Sequence, residues 1–256
     1  MTRFPFWISA LACGGLIGCG PPDPPDELLA ALEAASVHGA VPVPGLAYFD
    51  VRNGEEPWAV HLLRVDLDRC DLGLEVMEAP VSEGSRAGRA RVSELVTASG
   101  GEILAAVNGD FFTPEGQPVG TEVVKGEVRQ IRNRPALAWH PGQAPWMGSP
   151  RAEGDSVLVV GWNLSRMEAD GFTQVIGGFP LLLHQGSRVG DLEVEERPSF
   201  SAARHPRTAV GYDADENLLW VVVVDGRQPD YSDGMTLPEL ATLFEALDVE
   251  EAVNLD

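Results

Sequence analysis

Two aspartates each close an apolar run near the end of the chain. "LLWVVVVD" ends on Asp225 and "EAVNLD" ends on Asp256. Paired carboxylates serve as acid, base or nucleophile at an acetal carbon when they stand roughly 5 to 9.5 Å apart. The segment "RTAVGY" precedes the turn "DADEN", and the two runs should pair as a hairpin. Counting back through the turn sets Arg207 and Thr208 opposite residues 222–224 and so beside Asp225. Arg227 follows closely. One sheet edge is therefore expected to carry Arg207, Thr208, Asp225, Arg227 and Asp256. That is two acids for proton or nucleophile work and two guanidinium forks suited to a phosphate. The same residues also suit a structural use, because acids at strand ends cap loops or pair with arginine.

The elements that must position these residues are legible in the last fifty residues. Val221–Val224 is a continuous apolar run, which predicts a strand buried on both faces. Thr236-Leu237-Pro238-Glu239 is a capping box, with a hydroxyl for the first free N–H groups and an acid three residues on. Leu237, Leu240, Ala241, Phe244 and Leu247 follow at helical spacing as core. Strand, helix and strand then predict a right-handed crossover with two parallel strands. Their ends would lie about 5 Å apart as neighbours, or about 10 Å apart with one strand between. Earlier in the chain, "LAYFDVR", "WAVHLLRVDL", "LGLEVMEA" and "SVLVVGW" read as strands, and "RVSELVTASGG" as a short helix stopped by Gly100. "EILAAVN" is a further strand that turns at Asn108-Gly109. The fold class is α+β: a mixed sheet with antiparallel hairpins and a C-terminal parallel βαβ unit.

Other candidates carry less. "DADEN" begins like a calcium loop, but Leu218 stands where glycine is needed and Val224 where the bidentate glutamate belongs, so it reads as a hairpin turn. His205 is the histidine nearest the cluster, as an acid/base or a loop residue. Cys70 has no nearby His or Asp in sequence and reads as a small buried residue. The glycines of "GGFPLLLHQG" read as close backbone approach or a tight turn. No CxxC or HExxH spacing occurs, and no metal or cofactor is expected.

Composition bounds the partners. The 256 residues hold 39 acids against 18 bases, a formal net charge of -21. Nucleic acid would be repelled at long range, and any anionic substrate needs its own local arginines. Residues 1–19 read as a targeting segment, with Arg3 ahead of "FPFWISALACGGLIG". Its end, Leu16-Ile17-Gly18-Cys19, resembles a bacterial lipoprotein signal in which Cys19 becomes the lipidated first residue. Export across the inner membrane and a membrane anchor in the cell envelope follow from that resemblance. Residues 20–40 read as a Pro/Asp-rich linker with a short helix over 26–36, and residues 41–256 as the folded domain.

Three segments, "AAVNGDFF", "IGGFPLLLHQG" and the long block from "RHPRTAVGY" to "EEAVNLD", together resemble the phosphodiester glycosidase family. The resemblance runs through residues 100–256 in order. It implies hydrolysis of a sugar-1-phosphodiester at the glycosidic C1–O bond, on a substrate of the GlcNAc-1-phosphodiester kind. It implies roles for Asn108, Gly109, Gly178, Arg207, Thr208, Asp225, Gly226, Asn254 and Asp256. Asp225, Asp256 and Arg207 would be catalytic. The others, with Arg227, would bind substrate, Asn108 and Asn254 at sugar hydroxyls. Asp110 stands at a position that varies in the family and is given no role. The family continues past "NLD" into a glycine-rich "GGGSS"-like turn and a last strand. The domain is therefore expected to be incomplete at its C-terminus. Two alternatives share these residues: an envelope-anchored, non-catalytic glycan-binding lipoprotein, and an enzyme of exopolysaccharide phosphodiester turnover.

Overall fold

The computed structural model of the chain describes residues 5–10, 24–53, 57–80, 88–153, 156–160, 166–168, 172–190, 192 and 198–256. In chain order the elements are β1 (Pro5–Ala10), α1 (Asp26–Ala31), β2 (Ala34–Val43), β3 (Leu46–Asn53), β4 (Trp58–Asp66), β5 (Leu72–Val76), α2 (Val92–Ser99), β6 (Ile103–Asn108), β7 (Glu122–Val124), β8 (Glu127–Gln130), β9 (Ala136–Trp139) and β10 (Trp146–Gly148). They continue as β11 (Pro150–Glu153), β12 (Ser156–Val160), β13 (Arg166–Glu168), β14 (Gln174–Gly177), β15 (Leu181–His184), β16 (Ser187–Arg188), α3 (Pro198–Ser201), β17 (Arg207–Asp213), β18 (Leu218–Val224), α4 (Leu237–Glu245) and β19 (Glu251–Asn254). They fall into two units. The first comprises Met1–Cys13, Cys70–Pro180 and Leu255–Asp256, and the second Gly14–Arg69 and Leu181–Asn254.

The second unit is built on one eight-stranded sheet in the order β16-β15-β19-β17-β18-β4-β3-β2. Every pairing in it is antiparallel. The expected parallel βαβ pair is therefore corrected: β18 and β19 do not pair, and β17 lies between them, antiparallel to both. The crossover through α4 skips one position because β17 already holds the edge of β18 through its short hairpin turn. Residues 34–40, expected as linker, are also corrected. "AASVHGAVPV" forms the exposed edge strand β2 against β3.

One face of this sheet is covered. Val51, Val60, Leu62, Ala209, Trp220, Val222 and Val224 pack with Leu28 and Leu32 and with the apolar stripe of α4. That stripe starts where the sequence says it should. The Thr236 hydroxyl accepts the Glu239 N–H at 3.2 Å, and the Glu239 carboxylate accepts the Thr236 N–H at 2.8 Å. Leu237, Leu240, Ala241 and Phe244 are all buried below it.

The first unit, among its described residues, holds three small sheets: β5-β1-β6, β10-β9-β14-β7-β8 and β11-β12-β13. Pro5–Ala10, inside the segment read as a leader, is the middle strand of the first sheet, antiparallel to β5 and β6. Helix α2 stops at Gly100, which takes the left-handed φ of 64°. Val123, Ala136, Ala138, Phe172 and Val175 form a core for the five-stranded sheet. Cys70, expected to be buried, is exposed in the turn before β5. Cys19 lies outside the described residues.

A close steric fit in the second unit lies between β17 and α4. A Cβ on Gly211 would come within 2.6 Å of Phe244 Cδ1 and 3.0 Å of Val249 Cγ2. Gly211→Ala is expected to lower stability by about 1–3 kcal/mol through overpacking. Urea unfolding of the two proteins measures this.

Candidate active site

Asp225 follows β18 and is held by its main chain first. Its N–H donates to the Ala59 carbonyl at 3.0 Å, and its carbonyl accepts the buried Ser232 hydroxyl at 2.6 Å. Ser232 Oγ also accepts the Ala59 N–H at 3.1 Å, so strand β4 and the loop after β18 are tied at one point. The side chain then meets two polar groups at one oxygen. Asp225 Oδ2 accepts the Tyr231 O–H at 3.1 Å and lies 3.2 Å from His61 Nε2.

Behind His61 stands a second carboxylate. His61 Nδ1 is 2.7 Å from Tyr48 Oη and 3.7 Å from Asp50 Oδ2, and the Tyr48 ring stacks on the imidazole. Arg52 clasps Asp50 with two bonds of 2.6 and 2.7 Å and lies over the Tyr231 ring at 4.8 Å. Burial alone would push the Asp50 carboxyl up, but the Arg52 fork outweighs it and holds the group below the usual carboxylate range. Burial and the neighbouring Asp50 charge push the Tyr48 phenol up, so it keeps its proton. None of Tyr48, Asp50, Arg52, His61 or Tyr231 emerges from motif reading. A signal was present in β3, where Tyr48, Asp50 and Arg52 alternate with Phe49 and Val51.

The expected one-edge cluster is divided by the pleat. Arg207 pairs with Val224 and Thr208 with Val223, the register expected for the hairpin. Successive side chains on a strand point to opposite faces. Thr208 and Asp225 therefore share one face, while Arg207 takes the helix-covered one. Asn254, opposite Ala209, takes the helix-covered face too. Arg207 is 2% exposed. Its Nε donates to the Met235 carbonyl at 2.9 Å and a terminal nitrogen to the Phe200 carbonyl at 2.6 Å. Arg227 is exposed, with a terminal nitrogen 3.0 Å from His205 Nδ1. His205 Nε2 lies 2.7 Å from the Ser199 carbonyl. Gly226 is required by close backbone approach, since a Cβ there would come within 2.5 Å of Pro206 N.

In the first unit, β6 delivers Asn108, whose Nδ2 donates to Asp256 Oδ2 at 2.9 Å and to the Gly109 carbonyl at 3.5 Å. The Gly178 N–H donates to the Pro135 carbonyl at 2.8 Å. Gly177 packs against Gly120 so closely that a Cβ on it would lie 2.6 Å from the Gly120 Cα and 2.7 Å from Asp110 Oδ2. Asp110, given no role by the sequence, is 4% exposed and receives the Gly120 N–H on Oδ2. Its Oδ1 is buried without a protein partner. Burial, reinforced by Asp256 and opposed by Gly120 and Arg134, pushes the Asp110 carboxyl up to about 6. Burial, with Glu78 and Asp110 nearby, pushes Glu122 up to about 7.

In the second unit a carboxylate meets imidazole and phenol groups, and in the first unit a buried carboxylate is pushed toward its neutral form. The sequence profile of the phosphodiester glycosidase family matches residues 101–256, and the chain belongs to that family. No curated protein matches the chain in sequence. Its fold is similar to that of a hypothetical protein from Synechocystis, with a TM-score of 0.66 and 17% identity over 88% of this chain. The chain spans 58% of that protein. It is also similar to the zebrafish N-acetylglucosamine-1-phosphodiester α-N-acetylglucosaminidase catalytic domain, a structure auto-inhibited by its pro-peptide. There the TM-score is 0.57 at 19% identity, covering 93% of this chain and 83% of that one.

The Asp110 carboxyl makes a pH prediction with a definite sign. Its folded-state value lies above its ordinary one, so the folded protein binds the proton more tightly. Stability from this source is fully present below about pH 4 and is lost as the pH rises through about 6. Asp110→Asn keeps an acceptor for the Gly120 N–H and has no proton to lose. Between pH 4 and pH 7 the stability difference should move in favour of the variant by about 2–3 kcal/mol, since each unit is worth 1.36 kcal/mol. Urea unfolding of both proteins across that range measures it.

Proposed function

We propose that the protein hydrolyses the glycosidic bond of a sugar-1-phosphodiester, releasing the sugar and leaving a phosphomonoester on the other alcohol. The observation that carries this is Asp225. Within the family-matched stretch it is a half-exposed carboxylate whose main chain is pinned and whose Oδ2 takes two donors. A carboxylate so held presents its other oxygen to a reacting centre, as base for water or as nucleophile. The family resemblance also gives a role to Asp256, whose Oδ2 accepts the Asn108 amide. The zebrafish protein's name supports N-acetylglucosamine as the first sugar to try.

The phosphate carries one negative charge and must be bound by a protein of net charge -21. In this proposal the exposed Arg227 guanidinium meets it, beside His205. Arg207, tied to the Met235 and Phe200 carbonyls, supplies a buried positive charge and holds the segments around them. The family resemblance assigns Asn108 to a sugar hydroxyl; Asn254, fully buried on the helix-covered face, takes no part in this reading.

Export and lipidation on Cys19 belong to the same proposal and rest on the sequence. Cys19→Ala should move the protein out of the membrane fraction in a bacterial host. Retention in membranes by the variant would count against the anchor.

Incubation with UDP-N-acetylglucosamine or another GlcNAc phosphodiester should yield free sugar. Asp225→Asn should lower kcat by about 10²–10⁴-fold with little change in KM. Absence of any sugar release by the unsubstituted chain would sink the glycosidase reading.

A further inference from the structure

We propose that His61 is the positioning residue of Asp225, holding Oδ2 through an Nε2–H so that Oδ1 faces the reacting sugar. This rests on the glycosidase reading for its role in turnover, though not for its geometry. Asp225 stands just past the end of a strand, where a carboxylate can otherwise turn about its side-chain bonds. Two donors from different elements fix it, His61 from β4 and Tyr231 from the loop after β18.

The hydrogen on His61 is located by its neighbours. Tyr48 Oη lies 2.7 Å from Nδ1, and in this assignment its O–H donates to that nitrogen. The neutral ring then carries its hydrogen on Nε2, the nitrogen facing Asp225. The opposite tautomer would place a lone pair 3.2 Å from a carboxylate oxygen. When the ring gains a second proton, Asp50 Oδ2 stands 3.7 Å from Nδ1 to balance it. The Nε2–H is thus present in both charge states. Stacking on Tyr48, with an interplanar angle of 13°, stops the ring from swinging.

The brace closes on itself. Arg52 holds Asp50 with one face of the network and packs over the Tyr231 ring with the other. Asp225, His61, Tyr48, Asp50, Arg52 and Tyr231 therefore form a ring of contacts in which both donors to Oδ2 are supported by the same arginine. His38, opposite Asp50 on β2, is a further titratable group of this row among the described residues. A staple between strands alone would not need two supported donors on one oxygen of an accessible acid.

The test separates position from proton carriage. With a GlcNAc phosphodiester, His61→Ala should lose about 100-fold in kcat, the cost of a misplaced group, with KM changed by less than about threefold. His61→Gln, whose amide N–H can reach the same oxygen, should recover to within about tenfold of the unsubstituted protein and keep its pH profile. Wild-type kcat in His61→Ala overturns the proposal. So does equal loss in both variants of unchanged melting temperature, because the imidazole itself would then be doing the chemistry. ¹⁵N NMR of the imidazole in the full chain should show hydrogen on Nε2 whether or not substrate turns over. An Nδ1–H tautomer overturns the proposal as well. If no substrate is hydrolysed while the Nε2–H form is found, the glycosidase reading fails and the geometric assignment stands.

Discussion

The register of β17 on β18, of β18 on β4 and of β4 on β3 decides which side chains in the second unit meet. Arg207, Val224, Val60, Val51 and Val37 form one row across the sheet. Thr208, Val223, His61, Asp50 and His38 form the next. The first row belongs to the helix-covered face, where Val51, Val60 and Val224 are buried in the core. Burying a valine is worth roughly 1.5 kcal/mol or more, so a one-residue slip would expose several at once and reverse every polar side chain in the second row. The aliphatic packing therefore fixes the position of the polar network beside Asp225. Nothing in that network has to hold the sheet together.

The protein keeps its carboxyl groups in two different conditions. Asp225 and Asp50 are supplied with donors: a phenol and an imidazole for one, a guanidinium fork for the other. Donors favour the charged form. Asp110 and Glu122 are instead taken out of water with little compensation, and both are pushed toward the neutral form. A chain with 39 acids can place carboxyls in either condition only by choosing what surrounds them. The glycine pair at 120 and 177 shows how the second condition is made. Two backbones without Cβ atoms pack closely on Asp110 and bury it, while the Gly120 N–H on Oδ2 opposes the shift that burial brings.

The family assignment and the likeness in fold stand on different ground. The profile match is to residues 101–256, the part of the chain that contains Asp225, Arg227 and the β17–β18 hairpin. His61 and the β3 residues behind it precede that stretch. Their contribution is visible only because β3 and β4 continue the same sheet from β18. A brace of this kind need not follow the family pattern, since many residue pairs can hold a carboxylate oxygen.

The sequence alone determined the local facts. The Thr236–Glu239 cap, the apolar stripe of α4, the hairpin register of Arg207 opposite Val224, the Gly100 stop and the family all follow from neighbours in the chain. These depend on short-range geometry and on period. It also pointed to Asp225, because an acid at the end of a buried apolar run is conspicuous. Three things needed the tertiary structure. The order of strands around β17 replaced a parallel pair with two antiparallel ones, since no local pattern says which edge a crossover returns to. The pleat sent Arg207 and Asp225 to opposite faces, which a count of residues along an edge does not see. His61 came to Asp225 across 164 positions of chain, and Asp110 gained its raised pKa from burial against backbone 10 and 67 residues away. Desolvation and long-range hydrogen bonds are properties of an enclosed space, and the chain encloses that space only when it is folded.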